Sequence, residues 1–515
     1  MRFTRGNVVI AAIAALAGLA VPSATAAASG APPPSWPQAR YNAAAAGYNP
    51  HETQLSVHNV SKLVTRAVAP LGQSYAAAAP VVADGMVFIT AYSIPATSAE
   101  LEAFPESCGA PHGLSCSPVW TATVGDVAPS SVAVADGKVF VNTEGGPENL
   151  TQMLSAYSVH CGTGGASCSP IWTATFHGRS YESVAPTVAG GVVYVPVGKV
   201  GRAFLNAYPV NCSTHCHPLW RGTMVDGAEA SAAVGDGYVF VTDYDAQLYA
   251  FKVGCARGGN LCSPAWSGSV GENGPRGPAV DDGLVFVGSQ NGDLYAFNAR
   301  GCGTVQSACP PVWVDVTARL KNILADPAVA YGLVFVTDYG NGNLYAFPEH
   351  CASSSCPPVW KAFLARQDLS DPAVANGVVY VSEGSNAKNV GIDAFSVHCA
   401  TGGGTCTPLW HGTAGYYIPS GPAVAAGELW AGSGPINGPA NLYAFGLPVP
   451  HQSSASPGEH STSPGASPRN PMARNPLVAP MAPLAKGVIP GTPGGRKAPR
   501  DSFVAGGPDG IGPRE

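Results

Sequence analysis

The sequence has little charge and, after its first residues, no long hydrophobic run. Asp, Glu, Lys and Arg make up 11% of its 515 residues, against about a quarter in typical globular proteins, and the formal net charge is -6. Nucleic acid is therefore not an expected partner, because its binding requires a basic surface. No window shows apolar residues at helical spacing with a cap, which argues against a helical repeat.

The common sequence signatures of catalysis are also absent. There is no G-x-S-x-G nucleophile elbow, no H-E-x-x-H metalloprotease helix and no phosphate-binding loop. Glycine and proline, in contrast, are abundant, with 63 and 48 residues. A chain that combines many turns with few charges is typical of a rigid all-β protein.

The first 27 residues have the pattern of a secretory signal peptide. Arg2 and Arg5 precede an apolar run from Val8 to Val21, and small residues follow at 24–26. A permanent anchor is the alternative, but a membrane span needs about 20 apolar residues and no cleavage motif. Cys108, the first cysteine, lies too far away to carry a lipid. We therefore expect secretion without a membrane anchor, to the medium or the cell wall.

Residues 451–515 differ in composition from everything before them. They are rich in Pro, Ser, Gly and Ala and poor in aromatic residues, as in SSASPGEHSTSPGASP. Such a segment cannot bury enough apolar surface to offset the entropy that is lost on ordering. We expect a disordered tail there, which leaves residues 28–450 as the folded domain.

One unit recurs along that domain. It reads PAVDDGLVFVGSQNGDLYAF at 278–297, PAVAYGLVFVTDYGNGNLYAF at 327–347 and PAVANGVVYVSEGSNAKNVGIDAF at 372–395. Looser copies, which bring the total to eight, begin at Pro80, Val132, Pro186, Ala232 and Pro422. Seven copies are followed by two cysteines and then a tryptophan, namely Trp120, Trp172, Trp220, Trp266, Trp313, Trp360 and Trp410.

Each copy contains the signals of three short β-strands, and in seven copies a fourth follows the cysteines. PAV precedes a glycine turn, a β-branched and aromatic run such as VFV follows, then LYAF, and a fourth strand begins at the tryptophan. Successive tryptophans are 52, 48, 46, 47, 47 and 50 residues apart. Four strands in such a period predict an all-β fold, an eight-bladed β-propeller of four-stranded blades.

The eighth copy lacks its outermost strand. It ends at Phe445 without cysteines or a tryptophan, and the polar tail follows soon after. The segment from Val60 to Pro70 lies just before the first copy, where a fourth strand would come. We predict that this N-terminal strand completes blade 8 and closes the ring, which would protect the sheet edges. Truncation of either end should then open the ring.

All 14 cysteines fall into pairs, one in each of seven repeats, which favours a disulfide within each of seven blades. Each bridge would close the loop between the third and fourth strands, at roughly 2 kcal/mol of stabilisation for loops this short. The pairs are Cys108 with Cys116, Cys161 with Cys168, Cys212 with Cys216, Cys255 with Cys262, Cys302 with Cys309, Cys351 with Cys356, and Cys399 with Cys406. The alternative is haem or zinc, since Cys212-Ser-Thr-His-Cys216-His217 looks like a haem attachment sequence with one extra residue.

The repeat resembles the pyrroloquinoline quinone (PQQ) propeller repeat family over roughly residues 36–447. The resembling motifs before the repeat are Trp36-Pro-Gln, Asn49-Pro50, Leu55, Asn59-Val60 and Leu63. The family includes quinone-dependent alcohol and glucose dehydrogenases, and non-enzymatic propellers similar to the scaffold lipoprotein of the outer-membrane assembly machinery. The resemblance therefore implies the fold more strongly than any one function.

Several departures from the dehydrogenases favour the non-enzymatic branch. The chain has no Cys-Cys dipeptide, and a cysteine loop such as NARGCGTVQSACPPVW replaces the A-x-D-x-x-T-G-K-x-x-W docking motif. No cytochrome domain follows, and no motif aligns with a calcium-ligand set or a catalytic Asp. We expect a monomeric binding scaffold without a cofactor. The alternative is a PQQ-dependent oxidoreductase with PQQ and calcium, and a glycan lectin or polysaccharide lyase is a third possibility.

The charged and polar residues that differ from repeat to repeat lie mainly in the loops between blades, on the face opposite the disulfide loops. These loops contain His177, Arg179, Tyr181, Glu182, Glu229, Asn273, Arg276, Arg319, Lys321, Asp326, Arg366, Asp368, Asp371, Tyr416 and Tyr417. Functional residues usually lie on such loops. The predicted ligand-binding residues are Glu182, Glu229, Arg276, Asp326 and Asp371, and the last four should ring the mouth of the axial funnel.

Two interpretations of these charged residues are possible. They could bind an unknown protein, peptide or glycan, or they could cap turns and pair with each other across neighbouring blades. A similar choice applies to Asp338-Tyr-Gly-Asn341-Gly-Asn343 and to Asp243-Tyr-Asp245, whose spaced oxygens suggest calcium. Both sequences lie where the repeat places a turn, and Asn, Asp and Gly are turn residues, so we expect turns and no metal.

Overall fold

The computed structural model describes residues 35–448 apart from short gaps. The gaps are residues 77, 94–97, 110–115, 126–128, 145–150, 178–183, 199–202, 229, 272–273, 304–307, 316–319, 365–367, 385–389, 416–417, 419 and 435–439. The predicted signal peptide (1–27) and tail (451–515) lie outside the described residues, so both stay predictions. Among the described residues, none of the helical segments has the length and hydrophobicity of a membrane span.

The described residues form eight β-sheets, which are the blades of a propeller, as predicted. We number the blades 1 to 8 in chain order. The innermost strands are Val81–Ala83, Ala133–Ala135, Thr187–Ala189, Ala233–Gly235, Ala279–Asp281, Ala328–Ala330, Ala373–Ala375 and Ala423–Ala425. The second strands are Met86–Tyr92, Lys138–Glu144, Val192–Val197, Tyr238–Thr242, Leu284–Gly288, Leu333–Asp338, Val378–Gly384 and Glu428–Ser433.

The third and fourth strands complete each blade in antiparallel order. The third strands are Ala99–Pro105, Thr151–Ser158, Ala203–Pro209, Gln247–Lys252, Leu294–Asn298, Asn343–Pro348, Gly391–Ser396 and Asn441–Gly446. The fourth strands are Trp120–Gly125, Trp172–His177, Trp220–Met224, Trp266–Ser269, Trp313–Asp315, Trp360–Phe363, Trp410–Thr413 and, for blade 8, Val64–Pro70. Each innermost strand contacts those of both neighbouring blades, and blade 8 contacts blade 1, so the ring is closed.

A tight turn joins the first and second strands of every blade. Both of its central residues have positive φ, as in Asp236-Gly237 at 50° and 84°. This is the type I′ geometry, which matches the twist of a β-hairpin and favours glycine at the second position. Glycine occupies that second position in all eight blades, which explains the glycine that recurs in the sequence unit.

The N-terminal strand completes blade 8, as predicted. Val64–Pro70 pairs antiparallel with Asn441–Gly446. The preceding residues Val60–Lys62 form a 3₁₀ turn, so the strand begins four residues later than the sequence indicated. Trp410 of blade 7 donates its indole N–H to the carbonyl of Leu63 at 3.0 Å, which fastens the same segment to the neighbouring blade.

The seven disulfides pair the cysteines as predicted, one within each of blades 1 to 7. The disulfide loops also have a role that the sequence did not indicate. Asn260–Cys262 in blade 4 pairs in parallel with the outermost strand of blade 3, and Gly404–Cys406 in blade 7 pairs likewise with blade 6. These loops cover the outer edge of the preceding blade, which would otherwise be open to pairing. The remaining short elements are Tyr48–Asn49, Tyr75–Ala76, Ala166–Ser167, Asp368–Leu369 and the 3₁₀ turn Glu106–Gly109.

The repeated tryptophan links most blades to the next one along the chain. Trp360 of blade 6 is fully buried and donates its indole N–H to the carbonyl of Val397 in blade 7 at 2.9 Å. Its ring packs on Phe335 of its own blade, with the ring centroids 5.9 Å apart. Equivalent bonds are donated by Trp120, Trp172, Trp266 and Trp313. These tryptophans therefore pack between blades, and the hydrogen bond to the next blade satisfies their buried N–H.

An axial segment, residues 36–49, bonds to all eight blades in turn. The main-chain N–H groups of the innermost strands donate to its carbonyls at 2.6–2.9 Å; these donors are Val82, Val134, Val234, Val280, Val329 and Val374. The side chain of Gln38 accepts from blade 3 at 2.9 Å, and that of Asn49 donates to blade 8 at 2.8 Å. The segment therefore occupies the axial channel and satisfies strand edges that would otherwise lack partners.

Candidate functional site

The candidate site is a cavity of about 280 Å³ on the propeller axis. Its walls are the residues that come just before the innermost strand of each blade, so all eight blades contribute. Its floor includes Ala39 and Arg40 of the axial segment. The cavity exists because the ring leaves space at its centre and the N-terminal chain fills only part of that space.

Four charged side chains line this axial cavity: Arg40, Arg276, Asp326 and Asp371. Arg40 is buried and forms an ion pair with Asp326 at 3.2 Å. It also donates to the carbonyl oxygens of Pro278 at 3.0 Å and Pro327 at 2.5 Å. The ion pair neutralises the charge of Arg40, and the three contacts together fix its guanidinium between blades 5 and 6.

The two aspartates are linked across neighbouring blades. The carboxylate of Asp326 accepts from the main-chain N–H of Gly277 at 2.5 Å, and that of Asp371 accepts from the N–H of Asp326 at 2.7 Å. The bonds thus run from blade 5 to blade 6 and from blade 6 to blade 7. Pairing across neighbouring blades, one of the two interpretations of these residues, is therefore one of their roles.

Asp371 lies in an environment that opposes its ionisation. Burial and the negative charge of Asp326 raise the pKa of the Asp371 carboxyl, while Arg40 and Arg276 act in the opposite direction. Among the described residues, Nε of Arg276 has no hydrogen-bond partner. The cavity therefore offers a ligand one guanidinium and one carboxyl group whose charge depends on pH.

The structure brings three of the five predicted ligand-binding residues together. Arg276, Asp326 and Asp371 line one cavity, although they come from blades 5, 6 and 7. Glu182 and Glu229 lie outside the described residues, so their place in a site stays a prediction. Arg40 was missed, because it lies outside the repeat and no local pattern places the axial segment in the channel.

The two sequences with spaced oxygens form turns, as predicted. A carboxylate oxygen of Asp338 accepts from the main-chain N–H groups of Gly340 at 3.0 Å and Asn341 at 3.3 Å. Asp243 accepts from the N–H of Gln247 at 3.1 Å and from the hydroxyl of Tyr249 at 2.8 Å. These carboxylates act as acceptors that organise the turn between the second and third strands.

Potential metal ligands group together elsewhere. Glu383, Asp393 and His411 share one face of blade 7, with ligand atoms within 4.8 Å of one another, and Nδ1 of His411 is 2.8 Å from Asp393. That hydrogen bond raises the pKa of His411 above its ordinary value of 6.5. A second group, Asp282, Glu349 and His350, lies at the disulfide-loop face and is more exposed. Neither group belongs to the axial cavity.

Comparison with known proteins finds similarity in the fold alone. No protein-family model matches the chain, and no curated protein matches it. Among solved structures, quinohemoprotein alcohol dehydrogenase from Comamonas testosteroni has a TM-score of 0.57 at 14% identity, over 82% of this chain and 83% of that one. A europium-containing methanol dehydrogenase has a TM-score of 0.52 at 13% identity, over 81% and 98%. The computationally designed protein Ika8 has a TM-score of 0.53 at 9% identity, over 73% and 99%.

The predicted resemblance to quinoprotein propellers is therefore confirmed for the fold. The same fold occurs in enzymes and in a designed protein, so it does not by itself assign a function. The predicted membership of a non-enzymatic branch stays a prediction.

The axial cavity does not match the chemistry of PQQ, which is a planar tricyclic quinone with three carboxylates. None of the described residues that line the cavity is aromatic, so they provide no stacking surface for the ring system. When Asp371 is ionised, the two aspartates balance Arg40 and Arg276, which leaves no excess positive charge for three carboxylates. No redox step is assigned to these residues.

Proposed function

We propose that the protein is a binding propeller whose axial cavity takes a small polar ligand. The observation that carries this proposal is the convergence of Arg276 and Asp371 on a cavity of about 280 Å³ at the centre of the ring. Such a position is typical of ligand sites, which are concave and contain a few fixed polar groups.

The charges favour a ligand with both an acidic and a basic group. Arg40 and Asp326 neutralise each other, so their ion pair forms part of the cavity wall and adds little net charge. Arg276 and Asp371 remain for the ligand, with opposite signs. A carboxylate of the ligand can accept from Arg276, and an ammonium group can donate to Asp371. A free amino acid or a similar zwitterion fits this arrangement.

The experiment is calorimetric titration of the purified protein with a panel of zwitterions, matched uncharged polyols and single-charge analogues. We expect saturable binding of zwitterions, at least tenfold weaker in Arg276→Gln and in Asp371→Asn. Arg300→Gln is the control, because Arg300 is exposed on the disulfide-loop face and pairs with Asp236. Absence of binding by any panel member, or equal binding by all variants, would contradict the proposal.

The pH dependence provides a second test of the same site. Because the pKa of Asp371 is raised, the carboxyl carries its charge only when the pH exceeds that raised value. Affinity for a cationic group should therefore increase as the pH rises through the pKa of Asp371. The Asp371→Asn variant should show no such increase, and a wild-type affinity that is flat from pH 5 to 8 would count against the role of Asp371.

A quinone-dependent oxidoreductase is the second candidate, and the names of structurally similar enzymes support it. The solved enzymes that share the fold are described as quinohemoprotein alcohol dehydrogenase and methanol dehydrogenase. Titration with PQQ and calcium, followed by dye reduction with alcohols and sugars, tests this candidate. Cofactor absorbance that persists after desalting, together with dye turnover, would establish it and displace the binding proposal.

The seven disulfides support the predicted export, because such bonds form and persist in oxidising compartments. We propose that the protein is secreted and monomeric. Fractionation of the producing cells and light scattering of the purified protein test these two statements separately.

A further inference from the structure

A second cavity lies between blades 2 and 3, away from the axis. Its volume is about 420 Å³. Gln152 and Phe176 line it from blade 2, and Asn206, Tyr208 and Arg221 line it from blade 3. None of these residues takes part in the axial cavity, so the two sites can be tested independently.

The repeat explains why this space exists. Blade 3 has Asn206 at the position where blades 4, 5, 6 and 8 have the tyrosine of the LYAF sequence. In blade 4 that tyrosine, Tyr249, lies beside Phe251 with ring centroids 6.2 Å apart. Its hydroxyl accepts from the main-chain N–H of Val225 in blade 3 at 3.4 Å, so the side chain occupies the space between the two blades. Asparagine is shorter by an aromatic ring, so the corresponding volume in blade 3 is left open.

Buried polar groups face this space without partners. Gln152 is 1% exposed, and neither its amide oxygen nor its amide nitrogen has a hydrogen-bond partner among the described residues. Asn206 is 3% exposed. Among the described residues, neither its Oδ1 nor Nε of Arg221 has a hydrogen-bond partner. Leaving buried amides unpaired costs free energy, so this arrangement indicates a partner that supplies both donors and acceptors.

Aromatic surface lines the same cavity. The rings of Phe176 and Tyr208 are stacked at 28° with centroids 6.3 Å apart, and the guanidinium of Arg221 lies 5.4 Å from the ring centre of Phe204. The amide nitrogen of Asn206 donates to the hydroxyl of Tyr208 at 3.3 Å. Apolar ring faces beside unpaired amides suit a compact ligand that has C–H faces and several hydroxyl groups.

The charge of the cavity narrows the ligand class further. Among the described lining residues, Arg221 is charged and no carboxylate is present. A ligand that carries a carboxylate would therefore gain a charge-assisted bond to the guanidinium. We propose that the cavity between blades 2 and 3 binds an acidic sugar, with its carboxylate on Arg221 and its hydroxyl groups on Gln152 and Asn206.

The test uses titration of the purified protein with glucuronate and galacturonate, and with glucose and galactose as uncharged controls. We expect saturable binding of at least one uronate, at least tenfold tighter than the matching neutral sugar. Arg221→Gln should remove most of this preference for the acid. Asn206→Tyr should abolish uronate binding, because it installs the residue that fills the same position in four other blades.

Asn206→Tyr is also expected to fold, since its tyrosine is native to that position elsewhere in the ring; an unchanged melting temperature checks this. Asp371→Asn, in the axial cavity, should leave uronate affinity unchanged. The proposal of an acidic-sugar site can therefore hold even if no zwitterion binds in the axial cavity. If no uronate binds, or if Asn206→Tyr binds it as the wild type does, the cavity holds water only and the inference is overturned.

Discussion

The ion pair between Arg40 and Asp326 tests whether the axial segment is anchored as the structure shows. The two side chains are 5% and 13% exposed, and the charged atoms are 3.2 Å apart. The informative variants are Arg40→Gln, Asp326→Asn and the double variant. Each single change leaves one buried charge without its partner, whereas the double change removes both charges.

The structure sets the expected size of the effect. Removal of one partner from a buried pair costs about 3–5 kcal/mol. The unfolding entropy is about 2.1 cal/mol/K per residue, which gives roughly 0.8 kcal/mol/K over a domain of about 400 residues. The melting temperature of each single variant should therefore fall by about 4–6 °C. The double variant should lose clearly less than the sum of the two single losses, because the sites are coupled.

The assay is thermal unfolding of the three variants at one scan rate and at pH 7. Arg300→Gln is the matched control, because the pair that it breaks has its arginine 77% exposed and such pairs contribute only about 0–1 kcal/mol. Strictly additive losses, or single variants as stable as the control, would refute the idea that this pair holds the axial segment in the channel.

Three further predictions concern the blades. Replacing Cys255 and Cys262 by serine should cost about 2 kcal/mol through the lost loop closure, measured as a lower melting temperature; an unchanged value would contradict it. Trp360→Phe removes a buried donor to the next blade and should cost about 1–3 kcal/mol in denaturant unfolding, and no loss would show that the bond is unimportant. The raised pKa of His411 stabilises the fold fully below pH 6.5, and this contribution is lost as the pH rises through the raised value. Asp393→Asn should lower that pKa in an NMR titration; a pKa that does not move would exclude Asp393 as the cause.

Much of the fold could be predicted because the evidence for it is local and repeated. Eight copies of one unit identify the strands, and the glycine of each copy is the residue that a positive φ requires. One cysteine pair in each of seven copies predicted the disulfides correctly. The closing strand could be predicted as well, since an incomplete last copy needs a strand from elsewhere. The pairing of the disulfide loops with the preceding blade was not visible, because it depends on contacts between repeats.

The candidate site was only partly predictable. Arg276, Asp326 and Asp371 stand out in a chain with few charges, and their place before the innermost strands predicted a common funnel. The replacement of the LYAF tyrosine by Asn206 was visible as a departure from the repeat. Its consequence, a cavity shared with Gln152 of another blade, was not.

Turns, strand alternation and paired cysteines act over a few residues, so the structure of each repeat follows from its own sequence. Contacts between groups that are distant along the chain depend on the tertiary fold. Arg40 reaches Asp326, 286 residues further along the chain, because the axial segment passes all eight innermost strands before it leaves the channel. No local propensity records such a meeting, since it depends on closure of the whole ring.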